Sequence, residues 1–168
     1  MNIREMYEEG KFKEIIDHYA DSVDSLDEET KRYVLSSIDI VGQASRDFFD
    51  LQDKYIQYHQ SRNMDDASYL KLLEDLSRNA FILNQQDLCI GALKDIYEFY
   101  KNKFSENDSQ TLDTLYRLGR VFVRFHRDSE ALDLLKKYYH TQKSLYGIND
   151  STCDALEFII AIYSNNGD

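Results

Sequence analysis

The sequence contains no proline and only six glycines. Tight hairpins draw their turns from those two residues, so a strand-rich architecture is disfavoured and long helices joined by short polar turns are expected. Cysteine is nearly absent too. Cys89 and Cys153 lie far apart without framework spacing, which reads as two reduced thiols rather than a disulfide scaffold. No run approaches the roughly 18 apolar residues of a membrane span. The opening Met1-Asn2-Ile3-Arg4-Glu5-Met6 lacks the apolar centre of a secretory leader, and a cytoplasmic location is expected. Positive charge is also scarce, with 20 Lys and Arg against 31 Asp and Glu and a formal net charge of −11. Nucleic-acid binding relies on phosphate neutralisation by Lys and Arg, and anionic membrane surfaces repel an acidic chain. Both partners are therefore excluded from the reading, while a protein partner stays open.

What is present is a large apolar inventory. Of 168 residues, 42% are hydrophobic and 13% aromatic, enough for a folded core. Neither a Gly/Ser linker nor a single-sign charge block divides the chain, so one domain over residues 1–168 is expected. Apolar residues recur at helical spacing almost throughout. The pattern predicts nine helices: about 2–9 ending at Gly10, 11–23, 28–42 ending at Gly42, 45–60, 66–83, 87–103, 109–126, 128–145, and a last one from Asp150 or Ser151. Residues 63–67 hold a break. Asp27, Asp128 with Ser129, and Asp150 with Ser151 are the expected caps.

Two segments repeat. "NDSQTLDTLYRLGRVFVRF" begins at Asn107 and "NDSTCDALEFIIAIYSNNGD" at Asn149. With Thr111 set against Thr152, Leu115 matches Leu156, Leu118 matches Ile159 and Phe122 matches Tyr163. The helices that precede each also correspond: Ala92, Leu93, Ile96 and Phe99 match Ala131, Leu132, Leu135 and Tyr138. A helix–turn–helix unit recurring at about 40 residues is the pattern of an α-solenoid, in which each pair buries its apolar faces against its neighbours.

These residues resemble the tetratricopeptide repeat, and their long period and polar entry look most like the kinesin-light-chain type. Leu115, Leu118, Gly119 and Phe122 fall at the first-helix positions of W-x2-L-G-x2-Y, and Ala131 and Leu135 at the second-helix positions. Leu156, Ile159 and Tyr163 repeat the first set, and Gly167 falls where the family turns into its second helix. "MYEEGKFKEIIDHY" looks like the middle of such a unit, with Gly10 at the turn and Phe12 and Tyr19 after it. The chain departs from the pattern at Ile160 and Tyr138, which replace small residues, and in lacking the terminal proline. The resemblance is clearer over residues 64–168 than over 1–63.

The resemblance implies an all-α, right-handed superhelix of about four helix–turn–helix repeats plus a terminal half repeat. It implies a non-enzymatic interaction module or scaffold that holds a peptide or helix of a partner protein in a concave groove, without cofactor. The first helix of each pair would line that groove. The implied positions are Asp113, Tyr116, Arg120, Val123 and Arg124, then Asp154, Glu157, Ala161, Ser164 and Asn165, and in the preceding pair Glu74, Ser77, Phe81, Asn84 and Gln85. Arg117, Arg120, Arg124 and Arg127 form a basic stripe on an acidic chain. Like charges at such spacing cost a few tenths of a kcal/mol per pair. Two offsets remain open: internal pairing with Asp113, Asp154 or Glu157, or an acidic or C-terminal carboxylate of a bound peptide.

Catalytic motifs are missing. The sequence has no G-x-G-x-x-G, phosphate-binding loop, G-x-S-x-G or H-E-x-x-H. His18, His59, His126 and His140 fall on different helices without metal-ligand spacing, and Glu8-Glu9, Glu28-Glu29 and Asp65-Asp66 sit at helix ends. The aromatic residues are expected to fill seams between helices. The competing functional classes are a peptide-sensing domain of a bacterial regulator, which would require a longer parent chain, and an all-helical enzyme with an unrecognised pocket. Leu156, Ile159, Ile160 and Tyr163 would be exposed on a last helix without its pair partner, which suggests self-association through that helix or a longer parent chain.

Overall fold

The computed structural model describes residues 2–62 and 64–166, the side chain of Asn166 excepted. Eight α-helices follow one another, with no strand among the described residues: α1 (Ile3–Glu8), α2 (Phe12–Tyr19), α3 (Glu28–Ser61), α4 (Asp66–Ile82), α5 (Gln86–Lys103), α6 (Ser109–Arg124), α7 (Asp128–Tyr146) and α8 (Asp150–Asn166). A 3-10 segment over Ala20–Ser25 extends α2. The backbone forms two compact units, residues 1–89 and 90–168.

The first unit corrects the expected helix count. Gly42 does not end a helix, and α3 runs unbroken for 34 residues. An interior glycine costs only about 1 kcal/mol relative to alanine. The buried face of Val34, Ser37, Ala44 and Phe48 continues straight through it. Helix α3 packs on α2 and α4, the latter burying Leu72, Leu73, Leu76 and Ala80. Near its C-terminal end Tyr58 stacks on Tyr69, with ring centroids 3.7 Å apart. Phe48 is buried as a seam aromatic should be, whereas its neighbour Phe49 points outward.

Three turns share one geometry. Gly10, Asn84 and His126 have φ of 72°, 57° and 56°. After each, two amide N–H groups cap the preceding helix. Lys11 N donates to Met6 O at 2.9 Å and Gly10 N to Tyr7 O at 3.0 Å. Gln85 N donates to Ala80 O and Asn84 N to Phe81 O; Arg127 N donates to Phe122 O and His126 N to Val123 O. The left-handed residue reverses the chain and satisfies carbonyls that a helix end leaves open. Glycine suits this conformation best, asparagine next. The expected turn at Gly167 lies outside the described residues.

Two of the expected caps move. Arg127, not Asp128 or Ser129, precedes α7 and makes no side-chain cap. Arg127 instead donates two charge-assisted hydrogen bonds to the Glu130 carboxylate, which holds that carboxyl below its ordinary range. At α8 the cap is Asn149: its Oδ1 accepts from Thr152 N, while Thr152 Oγ1 accepts from Asn149 N at 2.8 Å. Asp27 caps α3 as expected, accepting from Glu29 N and Thr30 N.

In the second unit α7 packs on α6 and on α8. Gly119 is a point of close approach between α6 and α7. A Cβ placed there would lie 2.8 Å from both Cγ and Cδ2 of Leu135, which is fully buried, as is Ala131. Gly119→Ala is therefore expected to lower stability by about 1–3 kcal/mol through overpacking, despite roughly 1 kcal/mol of added helix propensity. Urea denaturation measures this, and a variant at least as stable as the parent would refute the close approach. His126→Gly, at an exposed left-handed position, should raise stability by about 0.5–1 kcal/mol. Gly10→Ala should lower it, so opposite signs at these two turns are the outcome to look for.

Candidate functional site

The second unit gathers a cluster on the outer side of α6 and α8. Helix α6 buries Thr111, Leu112, Thr114, Leu115, Leu118, Gly119 and Phe122. That leaves Asp113 and Arg120 exposed and Tyr116, Arg117, Val123 and Arg124 half-buried. Helix α8 buries Thr152, Ala155, Ile159 and Ile162, which leaves Asp154, Glu157, Ala161, Ser164 and Asn165 exposed.

Tyr116 is the centre of the cluster. Its ring stacks on Tyr138 of α7, with centroids 4.8 Å apart and planes at 25°, and meets Phe158 of α8 edge-on at 6.2 Å. The Arg120 guanidinium lies over both outer rings, 5.7 Å from the Tyr116 centroid and 5.7 Å from that of Phe158. Tyr138 is itself buried in the core with Leu112, Leu115 and Ala155. An aromatic ring fits where the repeat pattern expects a small residue because Tyr116 stacks on it. The cluster thus rests on the same core that holds the helices together.

The electrostatics are mixed. Burial raises the Tyr116 phenol above its ordinary value, and Arg120 pulls it back down; the Asp154 and Glu157 carboxylates and Tyr138 push it up. Among the described residues Arg120 makes no ion pair within 4 Å, and neither does Asp113, Asp154 or Glu157. Internal pairing of Arg120 with these acids is therefore not what holds it. Arg117 and Arg124 each have partners within the protein. Arg127 falls outside α6, over the Phe122 ring at 4.7 Å and bound to Glu130. The basic stripe read from spacing is thus three residues on the helix and one in the turn.

Sequence reasoning passed over Phe158. It lies four residues after Asp154 and next to Glu157, an aromatic among positions assigned to a groove, and that was the available signal. Phe81 and Asn84 belong to the first unit. The Phe81 ring covers Gly10, with Cε1 3.1 Å from where a Cβ would be, and Asn84 is the left-handed turn residue after α4. Also in the first unit, α3 and α4 flank a cleft of about 520 Å³, lined in part by Asp39, Asp47, Asp75 and Arg78. Arg78 pairs there with Asp75 at 3.5 Å. Among the described residues, no group of three or more His, Cys, Asp or Glu could hold a metal. Cys89 is buried and Cys153 exposed, and neither is in a disulfide.

No protein-family model matches the sequence, and no curated protein matches it either. Solved structures do. The chain is similar to the kinesin light chain nearly identical TPR-like repeats of Podosopora anserina, at 16% identity and a TM-score of 0.63, over 98% of this chain and 83% of that one. A single-residue variant of the same protein matches at 16% identity and a TM-score of 0.61. The fold is that of a TPR-like helical repeat, the kinesin-light-chain type that the repeat spacing resembles. No helix among the described residues is long and apolar enough to cross a membrane.

The Tyr116 environment yields a direct check. Arg120→Gln should move the Tyr116 titration further up, and Asp154→Asn or Glu157→Gln should move it down. Ring-labelled NMR reads this, with Tyr116→Phe assigning the signal among 13 tyrosines. No displacement in either direction would separate Arg120 from the cluster.

Proposed function

We propose that the protein is a non-enzymatic, cytoplasmic interaction module, and that the α6–α8 face of its second unit receives an extended or helical segment of a partner protein. The observation that carries this reading is Arg120. Its guanidinium lies over two rings, exposed, with no carboxylate partner among the described residues. A guanidinium presents a planar fork that matches a carboxylate, and ring contacts orient it at little entropic cost. Arg117 and Arg124 add positive charge on the same helix; Phe158 and Val123 add apolar surface. The preferred ligand is a peptide with an acidic side chain or a free C-terminal carboxylate. In TPR-like folds the first helices of successive pairs face a groove, and α6 and α8 are those helices under the repeat alignment.

Of the apolar stripe expected to be exposed on the last helix, Ile160 is 60% exposed, Leu156 and Tyr163 are half-buried and Ile159 is buried, so α8 offers one exposed apolar residue rather than a seam for self-association.

An array of synthetic peptides, acidic or neutral and with free or amidated C-termini, tests the groove. Acidic or free-carboxylate peptides should bind, and the double variant Arg120→Ala, Arg124→Ala should weaken them at least tenfold, about 1.4 kcal/mol. Phe158→Ala should weaken them less. Peptides that bind the double variant as tightly as the parent would remove this face from consideration.

A further inference from the structure

The long helix α3 carries a second apolar seam that its own unit does not cover. Leu35, Ile38, Phe49 and Ile56 are 50%, 42%, 72% and 45% exposed. They are spaced three, eleven and seven residues apart, so all four fall at the inner positions of one heptad frame. Gly42, Ser45 and Gln52 complete that frame. The frame is distinct from the core-facing one, which runs through Val34, Ala44 and Phe48. At its middle the seam is narrow and open. A Cβ on Gly42 would meet only the Arg46 guanidinium, at 3.5 Å, and the Ser45 hydroxyl donates to Val41 O of its own helix at 2.8 Å. From Leu35 to Ile56 the seam covers 22 of the 34 residues of α3, three heptads and about 33 Å of helix.

The charges beside the seam select its occupant. Arg32, Asp39, Arg46 and Asp53 recur every seven residues along one flank and are all exposed, and none forms an ion pair among the described residues. The opposite flank is Val34, Val41, Phe48 and Tyr55, which faces the core. In a parallel helix pair the charged flank would meet that apolar flank, so the charges would find no partner. An antiparallel pair instead brings the charged flank against its own copy. Arg32 then faces Asp53 of the second copy and Asp39 faces Arg46, each pair occurring twice as a two-fold axis requires. The same register sets Ile38 against Phe49 and closes the small residues Gly42 and Ser45 on each other at the axis. A shift by one heptad in either direction places arginine against arginine and aspartate against aspartate.

We infer that α3 is the contact of a homodimer, in which a second copy of this chain packs antiparallel along the Leu35–Ile56 seam. The contact is separate from the α6–α8 face and independent of any peptide.

Sedimentation velocity and light scattering on the full chain, over a range of concentrations, test this. The parent chain should reach about twice 19.8 kDa. Phe49→Glu, at an exposed position, should weaken association at least tenfold, and Ile160→Glu on α8 should not. Two charge variants fix the register. Arg32→Glu with Arg46→Glu makes the flank wholly acidic, and Asp39→Arg with Asp53→Arg makes it wholly basic. Each alone should be monomeric, and an equimolar mixture should restore the dimer. On net charge alone the second variant, the least acidic, would associate best, so the two explanations diverge. Circular dichroism confirms that each variant stays helical. The inference is overturned by a parent chain that is monomeric at every concentration, in which case another partner covers the seam. It is overturned equally by a dimer that survives Phe49→Glu, or by a mixture that does not associate.

Discussion

The close approach of α6 and α7 at Gly119 governs what the second unit can be. Leu135 fits against bare backbone there, with Ala131 buried beside it. Only residues 125–127 separate α6 from α7, so the two helices must be antiparallel and the turn must reverse the chain within those residues. His126 supplies that turn in a left-handed conformation, and two N–H groups cap the helix it leaves. Gly10 and Asn84 do the same in the first unit. The turn and the near contact act together: the turn satisfies the helix end, and the contact fixes the angle at which the chain returns.

Once the inner face of α6 is committed to this packing, the remaining residues have nowhere to go but outward. Thr111 and Thr152 show how strict the commitment is. Both occupy the third position of a first helix and both are fully buried. Thr152 exchanges hydrogen bonds with the Asn149 backbone, whereas Asp108 N turns to Ser105 O at 3.3 Å and leaves the Thr111 hydroxyl without a partner. The buried position is kept even where its hydroxyl is unsatisfied, so volume at that site outweighs polarity. The same logic places Tyr138 inside and Tyr116 against it, and Arg120 above both.

The fold was legible in the sequence wherever the signal was local and repeated. The recurrence of Thr111, Leu115, Leu118 and Phe122 at Thr152, Leu156, Ile159 and Tyr163 located the first helices, and Gly10 located a turn. Legibility failed where a residue has two uses. Gly42 reads as a stop, but only the tertiary contacts of Val34 through Phe48 decide that the helix continues. His126 reads as the last residue of a helix over 109–126, yet its φ of 56° makes it the turn. Leu156, Ile159, Ile160 and Tyr163 read as one stripe, but of these only Ile159 belongs to the buried face of α8, which it shares with Thr152, Ala155 and Ile162. Tyr163 instead meets the Lys136 ammonium through its hydroxyl, at 2.6 Å. The arginine spacing was visible; that Arg120 lies over rings from two helices was not, since Phe158 comes from a helix 38 positions away in sequence.

An acidic chain with an arginine aimed outward poses a contest between a global and a local field. The net charge of −11 repels an acidic ligand at long range. Screening at physiological ionic strength confines such interactions to about 8 Å, so charges elsewhere on the surface are damped while Arg117, Arg120 and Arg124 on one helix act within that distance. Asp154 and Glu157 stand near enough to act on Tyr116, and they oppose the arginines. An exposed guanidinium–carboxylate pair is worth about 0–1 kcal/mol, too little to bind a peptide alone. On the proposed reading the arginines would set the direction of a carboxylate and share the affinity with apolar contacts to Phe158, Val123 and Ala161 along the same face. A ligand without an apolar residue adjacent to its carboxylate would gain little from the arginine, and one without the carboxylate would lack the group that sets its direction.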